Sequence, residues 1–158
     1  MLFSRYKSKI NYYKIASEIS KMSREMAISL TQSLIVPDDE IKSSIASSTE
    51  VFANNFYAYG ITLVREVILY KLSLPEPEKE AEAMIDVFAK LKGMTTKFIK
   101  GMILDDSSVI FKSKTIEELL NQLTPALGPY ATPDLFEGYF NAIDMAVDEW
   151  EQHLTKGE

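Results

Sequence analysis

Residues 51–74, VFANNFYAYGITLVREVILYKLSL, are the most apolar and aromatic segment of the chain. Phe52, Phe56, Tyr59, Leu63, Val67, Tyr70 and Leu74 recur at steps of three and four, the spacing of one face of an α-helix. The spacing predicts a core helix. A membrane span is excluded, because Asn54-Asn55 and Arg65-Glu66 leave only Phe56 to Val64 between them, far short of the roughly 20 residues a bilayer needs.

Working outward, Tyr12, Ile15, Ile19, Met22, Met26 and Leu30 form a second stripe, which predicts a helix from Ser4 or Arg5 to about Leu34. Val36-Pro37 stops it, since proline disfavours helix in the residue before it. The acids Asp38, Asp39 and Glu40 suit a new first turn, so the core helix is expected to begin at Pro37 or Asp38, with Ile41 and Ile45 on its stripe and a weak point at Ser47–Ser48. Leu74-Pro75-Glu76-Pro77 ends that helix. Met84 or Ile85, Phe88, Leu91, Thr95, Phe98 and Met102 then predict one helix running to the loop Asp105-Asp106-Ser107-Ser108. Val109-Ile110-Phe111 reads as buried loop or helix, because no second strand candidate exists to pair with it. Thr115-Ile116-Glu117-Glu118 has the form of a capping box opening a short helix through Leu119, Leu120 and Leu123, closed by Pro125 and Gly128-Pro129. Thr132-Pro133-Asp134 starts a last helix with the stripe Phe136, Phe140, Ile143, Val147, Trp150 and Leu154. No repeat, low-complexity tract or linker composition divides the chain. The fold expected is all-α: a single domain over 1–158, an antiparallel bundle of about four long helices plus one short helix.

At 158 residues, with 46% hydrophobic side chains, the chain can bury a core without staples. It has no cysteine, so disulfides, thiolate metal sites and cysteine nucleophiles drop out together. The start lacks the apolar run of a secretory signal, and a cytoplasmic location is expected. Net charge is −6, which argues against nonspecific nucleic-acid binding. Arg5, Lys7, Lys9, Lys14, Lys21 and Arg24 nevertheless give the first 25 residues six basic groups against two acidic ones, leaving −10 for the remainder.

His153 is the only histidine, so motifs that need several, among them Glu-x-x-His pairs, HExxH and zinc sets, cannot be assembled. Asp38 to Glu40 and the run Glu76 to Asp86 sit at helix starts, Asp105-Asp106 reads as loop, and Asp144 with Asp148 is expected to face water. No glycine-rich phosphate loop is present. No catalytic residue, metal or cofactor is assigned, and the chain reads as non-enzymatic.

Two surfaces remain. Basic residues interleaved with tyrosines at the N-terminus, together with the tryptophan helix, predict an interaction surface of Arg5, Tyr6, Lys9, Tyr12, Tyr13 and Trp150. It would serve a protein partner or self-association, with contact to a membrane surface as a lesser use. Gly60 inside the core helix implies close helix approach or a ligand against the backbone, giving an alternative pocket at Asn55, Phe56, Tyr59 and Gly60. The 13 residues Gly128-Pro129-Tyr130-Ala131-Thr132-Pro133-Asp134-Leu135-Phe136-Glu137-Gly138-Tyr139-Phe140 resemble the approach to the penultimate helix of sensor-type globins. No histidine stands at Pro125 or Ala126, where that family would place its proximal haem ligand, so the resemblance implies a haem-free globin-like sensor. The function expected first is an assembly, adaptor or regulatory subunit acting through protein contacts; the alternative is a small-molecule-binding sensory bundle.

Overall fold

The computed structural model describes residues 8–34, 36 and 38–156, and every regular element among them is helical. In chain order these are α1 (Tyr12–Ser33), α2 (Asp39–Ser47), α3 (Thr49–Glu66), α4 (Pro77–Leu91), α5 (Thr96–Ile103), α6 (Ser108–Leu127) and α7 (Asp134–Thr155). A π-helical turn, Val67–Lys71, prolongs α3, and a 3-10 turn, Gly128–Tyr130, follows α6. Among the described residues no helix is long and apolar enough to cross a membrane.

The organising segment is more central than its stripe implies. Phe52, Ala53, Phe56, Tyr57, Ala58, Tyr59, Gly60, Ile61, Thr62 and Val64 are all buried, and the unbroken run from Phe56 to Thr62 encloses the middle of α3 on every side rather than on one face. It packs against α1, α4, α5, α6 and α7. Two of its hydroxyls are satisfied where they enter the core: the Tyr57 hydroxyl donates to the Phe88 carbonyl of α4 at 2.6 Å, and Thr62 donates to the Ala58 carbonyl at 2.9 Å. The stripe continues through Val67 and then fails at Tyr70, which is 78% exposed. The π-helical turn takes the chain off the α-helical register there, and Tyr70 swings into water.

Local chemistry moves several boundaries. α1 begins at Tyr12, where Asn11 Oδ1 accepts from the Lys14 N–H at 3.3 Å; the expected start at Ser4 or Arg5 lies outside the described residues. The weak point between α2 and α3 is real and falls at Ser48. The single helix expected through Met102 is broken in two. Gly93 takes a left-handed φ of +66° just past α4, and Thr95 Oγ1 accepts from the Phe98 N–H at 3.1 Å to open α5.

Of the two readings expected for Val109, Ile110 and Phe111 the helix holds: they lie in the first turn of α6, capped by Ser107, with only Phe111 buried. The capping box at Thr115 is therefore no start: Thr115 is a buried residue in mid-helix. Pro125 does not end α6 either, because the chain stays helical to Leu127 and turns at Gly128, φ +56°. The described residues thus hold five long helices and two short ones, in place of four and one. α7 follows its expected stripe, with Phe136, Phe140, Ile143, Val147 and Trp150 buried.

Candidate interaction surface

The surface expected at the N-terminus divides. Arg5 and Tyr6 lie outside the described residues. Lys9 is exposed in a bend ahead of α1, and Tyr13 is 61% exposed. Tyr12 and Trp150 are core instead, 2% and 8% exposed, with ring centroids 6.3 Å apart. The Tyr12 hydroxyl donates to Glu80 Oε2, a buried carboxylate that also accepts from Ser8 Oγ at 2.7 Å. Tyr12 belonged to the basic stretch and to the apolar stripe at once; the stripe prevails because Glu80 gives the phenol a partner inside.

The pocket expected around Gly60 is filled by the protein itself. A Cβ built on Gly60 would sit 2.5 Å from Ile19 Cγ2, so the glycine serves the close approach of α1 and α3. Phe56 and Tyr59 close on Phe140, at ring-centroid distances of 5.5 and 4.9 Å. Asn55 is half-buried and donates its amide to the Val51 carbonyl at 3.0 Å. Tyr59 donates to Asp144 Oδ1 at 2.6 Å, so Asp144 is tied to the core and does not simply face water. Burial first, then the Asp144 hydrogen bond and the charges of Asp144, Glu66 and Asp148, push the Tyr59 phenol far above its ordinary pKa. Among the described residues no group of three His, Cys, Asp or Glu side chains is placed to hold a metal.

Three features lie elsewhere, and the first is the outer side of α5. Thr95, Lys97, Phe98, Gly101 and Met102 line a shallow, open depression of about 570 Å³. Phe98 is 51% exposed, and Leu104, just past the helix, is 66% exposed. At the start of α6, Val109 and Ile110 are exposed by 73% and 48%. Two of these positions carry residues that the fold does not favour. Gly101 is interior to α5 with nothing within 4 Å of a Cβ built upon it, so Ala would serve the helix better. Leu104 holds a left-handed φ of +48°, where glycine is the usual helix terminator and a leucine is strained.

On the inner side of α5 a half-open cleft of about 460 Å³ runs between the π-helical turn, α4 and α5. Leu69, Ala81, Ile85 and Ile103 supply its apolar lining, with Arg65 and Lys100 as its cations. Both cations are engaged: Arg65 with Asp105 at 3.2 Å and Lys100 with Glu82 at 3.0 Å. Nearby, desolvation and the charge of Glu82 raise the Asp86 carboxyl, against the lowering influence of Lys100. Glu66 accepts from the Ser108 N–H at 2.8 Å and so anchors the start of α6 to the end of α3.

The third feature is a trough of about 570 Å³ lined by Ser17, Ser20, Lys21, Arg24, Glu25, Leu91 and Lys92, between α1 and the end of α4. Lys92 Nζ lies 5.6 Å from the centroid of the Tyr57 ring. Sequence reasoning picked out Lys21 and Arg24 as part of the basic N-terminal stretch, but the continuous helix expected through residue 92 concealed that Lys92 joins them. Nor does the sequence reveal the α5 depression, because Phe98 and Met102 keep the spacing of a buried stripe.

No protein-family model, curated protein or solved structure matches this chain. The segment that resembles sensor-type globins spans the 3-10 turn Gly128–Tyr130 and the first two turns of α7.

Proposed function

We propose that the chain is a helical bundle, its successive long helices antiparallel, that works as a non-enzymatic interaction module. Its role is that of an assembly, adaptor or regulatory subunit, docking through the outer side of α5. One observation carries this reading: Gly101 and Leu104, three residues apart on an exposed apolar surface, each hold the residue type that their backbone position disfavours. Local rules broken without compensation inside the fold point to a use outside it. Glycine at 101 leaves room for a close-approaching partner, and leucine at 104, one turn further on, offers an exposed apolar anchor.

The test is native mass spectrometry of gently purified wild-type protein and the Phe98→Glu variant. A protein partner, or a second copy, retained by the wild type and lost from the variant is the expected result. Equal retention by both would remove α5 from the interface.

A second reading, a small-molecule sensor, has one observation in its favour, the cleft beneath Arg65 and Tyr70. It replaces the Gly60 pocket, which Ile19 fills. Under that reading the same spectra would show added small-molecule mass that an Ile85→Trp variant abolishes.

A further inference from the structure

We infer that the trough between α1 and the end of α4 receives an acidic segment of the partner protein, its carboxylates held by Lys21, Arg24 and Lys92 and an adjoining apolar side chain resting on Leu91. This names the partner's chemistry and rests on the interaction reading.

The first support is the state of the three cations. On a chain of net charge −6, carboxylates are abundant, and Arg65, Lys71, Lys79, Lys100 and Lys114 each pair with one. Lys21, Arg24 and Lys92, like several lysines elsewhere, make no ion pair among the described residues; what sets them apart is that they converge on one trough with a single acid, Glu25. Electrostatic complementarity of this kind sets partner choice and association rate more than it sets raw affinity.

The second support is the lining. Arg24 offers a planar fork suited to a carboxylate, and the Ser17 and Ser20 hydroxyls add donors beside it. The ring of Tyr57 lies beneath the Lys92 ammonium and holds it at the rim. Leu91, half-buried, supplies an apolar floor that a purely ionic ligand would not need. Three cations with an acid among them make a short track, ill-suited to a polyphosphate backbone, whose binding grows with every phosphate neutralised. Continuity is the third support: Lys92 of the trough stands three residues before Thr95 of the α5 depression, so one partner segment can meet both.

The test is fluorescence anisotropy on the full chain with four labelled probes: a short peptide of alternating glutamate and leucine, its glutamine–leucine counterpart, a single-stranded oligonucleotide, and vesicles containing phosphatidylserine. The glutamate peptide is expected to bind saturably, to weaken as salt is raised, and to lose about tenfold in affinity with Lys21→Gln or Arg24→Gln. Both side chains are exposed and make no ion pair among the described residues, so neither substitution removes a contact of the fold described above. Equal binding of the glutamine peptide, indifference to both substitutions, or tighter binding of the oligonucleotide or the vesicles would overturn the inference. Loss of a retained partner by Phe98→Glu, with peptide binding unaffected by Lys21→Gln and Arg24→Gln, would sink the trough alone and leave the interaction reading standing. No retained partner in native mass spectra would instead strike at the interaction reading.

Discussion

Replacing Gly60 with Ala tests the packing at the centre of the molecule. The added Cβ would lie 2.5 Å from Ile19 Cγ2 and 3.0 Å from Ile19 Cδ1. Ile19 cannot give way easily: it is fully buried, and a β-branched side chain in a helix is nearly confined to one rotamer. The α1–α3 contact must therefore open. Overpacking of this kind costs about 2–3 kcal/mol, against which alanine recovers about 1 kcal/mol of helix propensity. The net loss is about 1–2 kcal/mol, read in urea denaturation, or roughly 2–8 °C in melting temperature for a domain of this size. Ile19→Ala alone leaves a cavity and is expected to cost about 2–5 kcal/mol. In the double variant the new methyl occupies part of that cavity, so the double loss should fall short of the sum by about 1 kcal/mol. A Gly60→Ala protein as stable as the wild type, or additive losses in the cycle, would refute the claim that Gly60 exists for the contact with Ile19.

Gly101→Ala and Leu104→Gly are each expected to raise stability, by about 0.5–1 kcal/mol and about 1 kcal/mol, while weakening partner retention; two destabilised variants would show that these residues serve the fold. The buried phenols of Tyr57 and Tyr59 both have raised pKa values, the first through burial and the second through burial and the Asp144 hydrogen bond. Below about pH 10, the ordinary tyrosine value, both native and unfolded states keep these protons and the contribution is fully present. Above it the unfolded chain releases them first, so stability should fall by up to about 1.4 kcal/mol per pH unit for each tyrosine. Urea midpoints between neutral and alkaline pH would show this slope, and Tyr59→Phe should flatten it; a slope that Tyr59→Phe leaves untouched would contradict the assignment. Glu66→Ala removes the carboxylate that holds the Ser108 N–H and should cost about 1 kcal/mol, measurable as a lower urea midpoint, whereas no change would mean that water replaces it without loss.

The helical class was legible in the sequence because strong three-and-four spacing survives wherever a helix has one buried side. α7 is the clearest case, its five stripe residues from Phe136 to Trp150 all buried. The central helix was located correctly, yet periodicity could not reveal its full enclosure, since Tyr57, Ile61 and Val64 lie off the stripe and are buried as well. Punctuation was read less well. Gly93 ends α4 through a left-handed backbone that an apolar pattern passes straight over, and Thr115 fits a capping box while sitting inside α6.

The candidate surfaces turn on tertiary contact, which periodicity does not carry. Tyr12 and Trp150 carry the residue types of an interface, but whether an aromatic meets a partner or its own core is decided by tertiary contact, here with Glu80 and with each other. Leu104 and Gly101 became informative only with backbone angles and free space in hand, neither of which the sequence states.

The most direct measurement is site-specific photo-crosslinking in living cells, with a photoreactive phenylalanine at position 98 and, as control, at position 145. Met145 is also highly exposed, 71%, but on α7. A discrete protein adduct from position 98 that Leu104→Gly weakens and that position 145 does not form is the expected result. No adduct from position 98, or the same adduct from both positions regardless of Leu104, would contradict docking through α5.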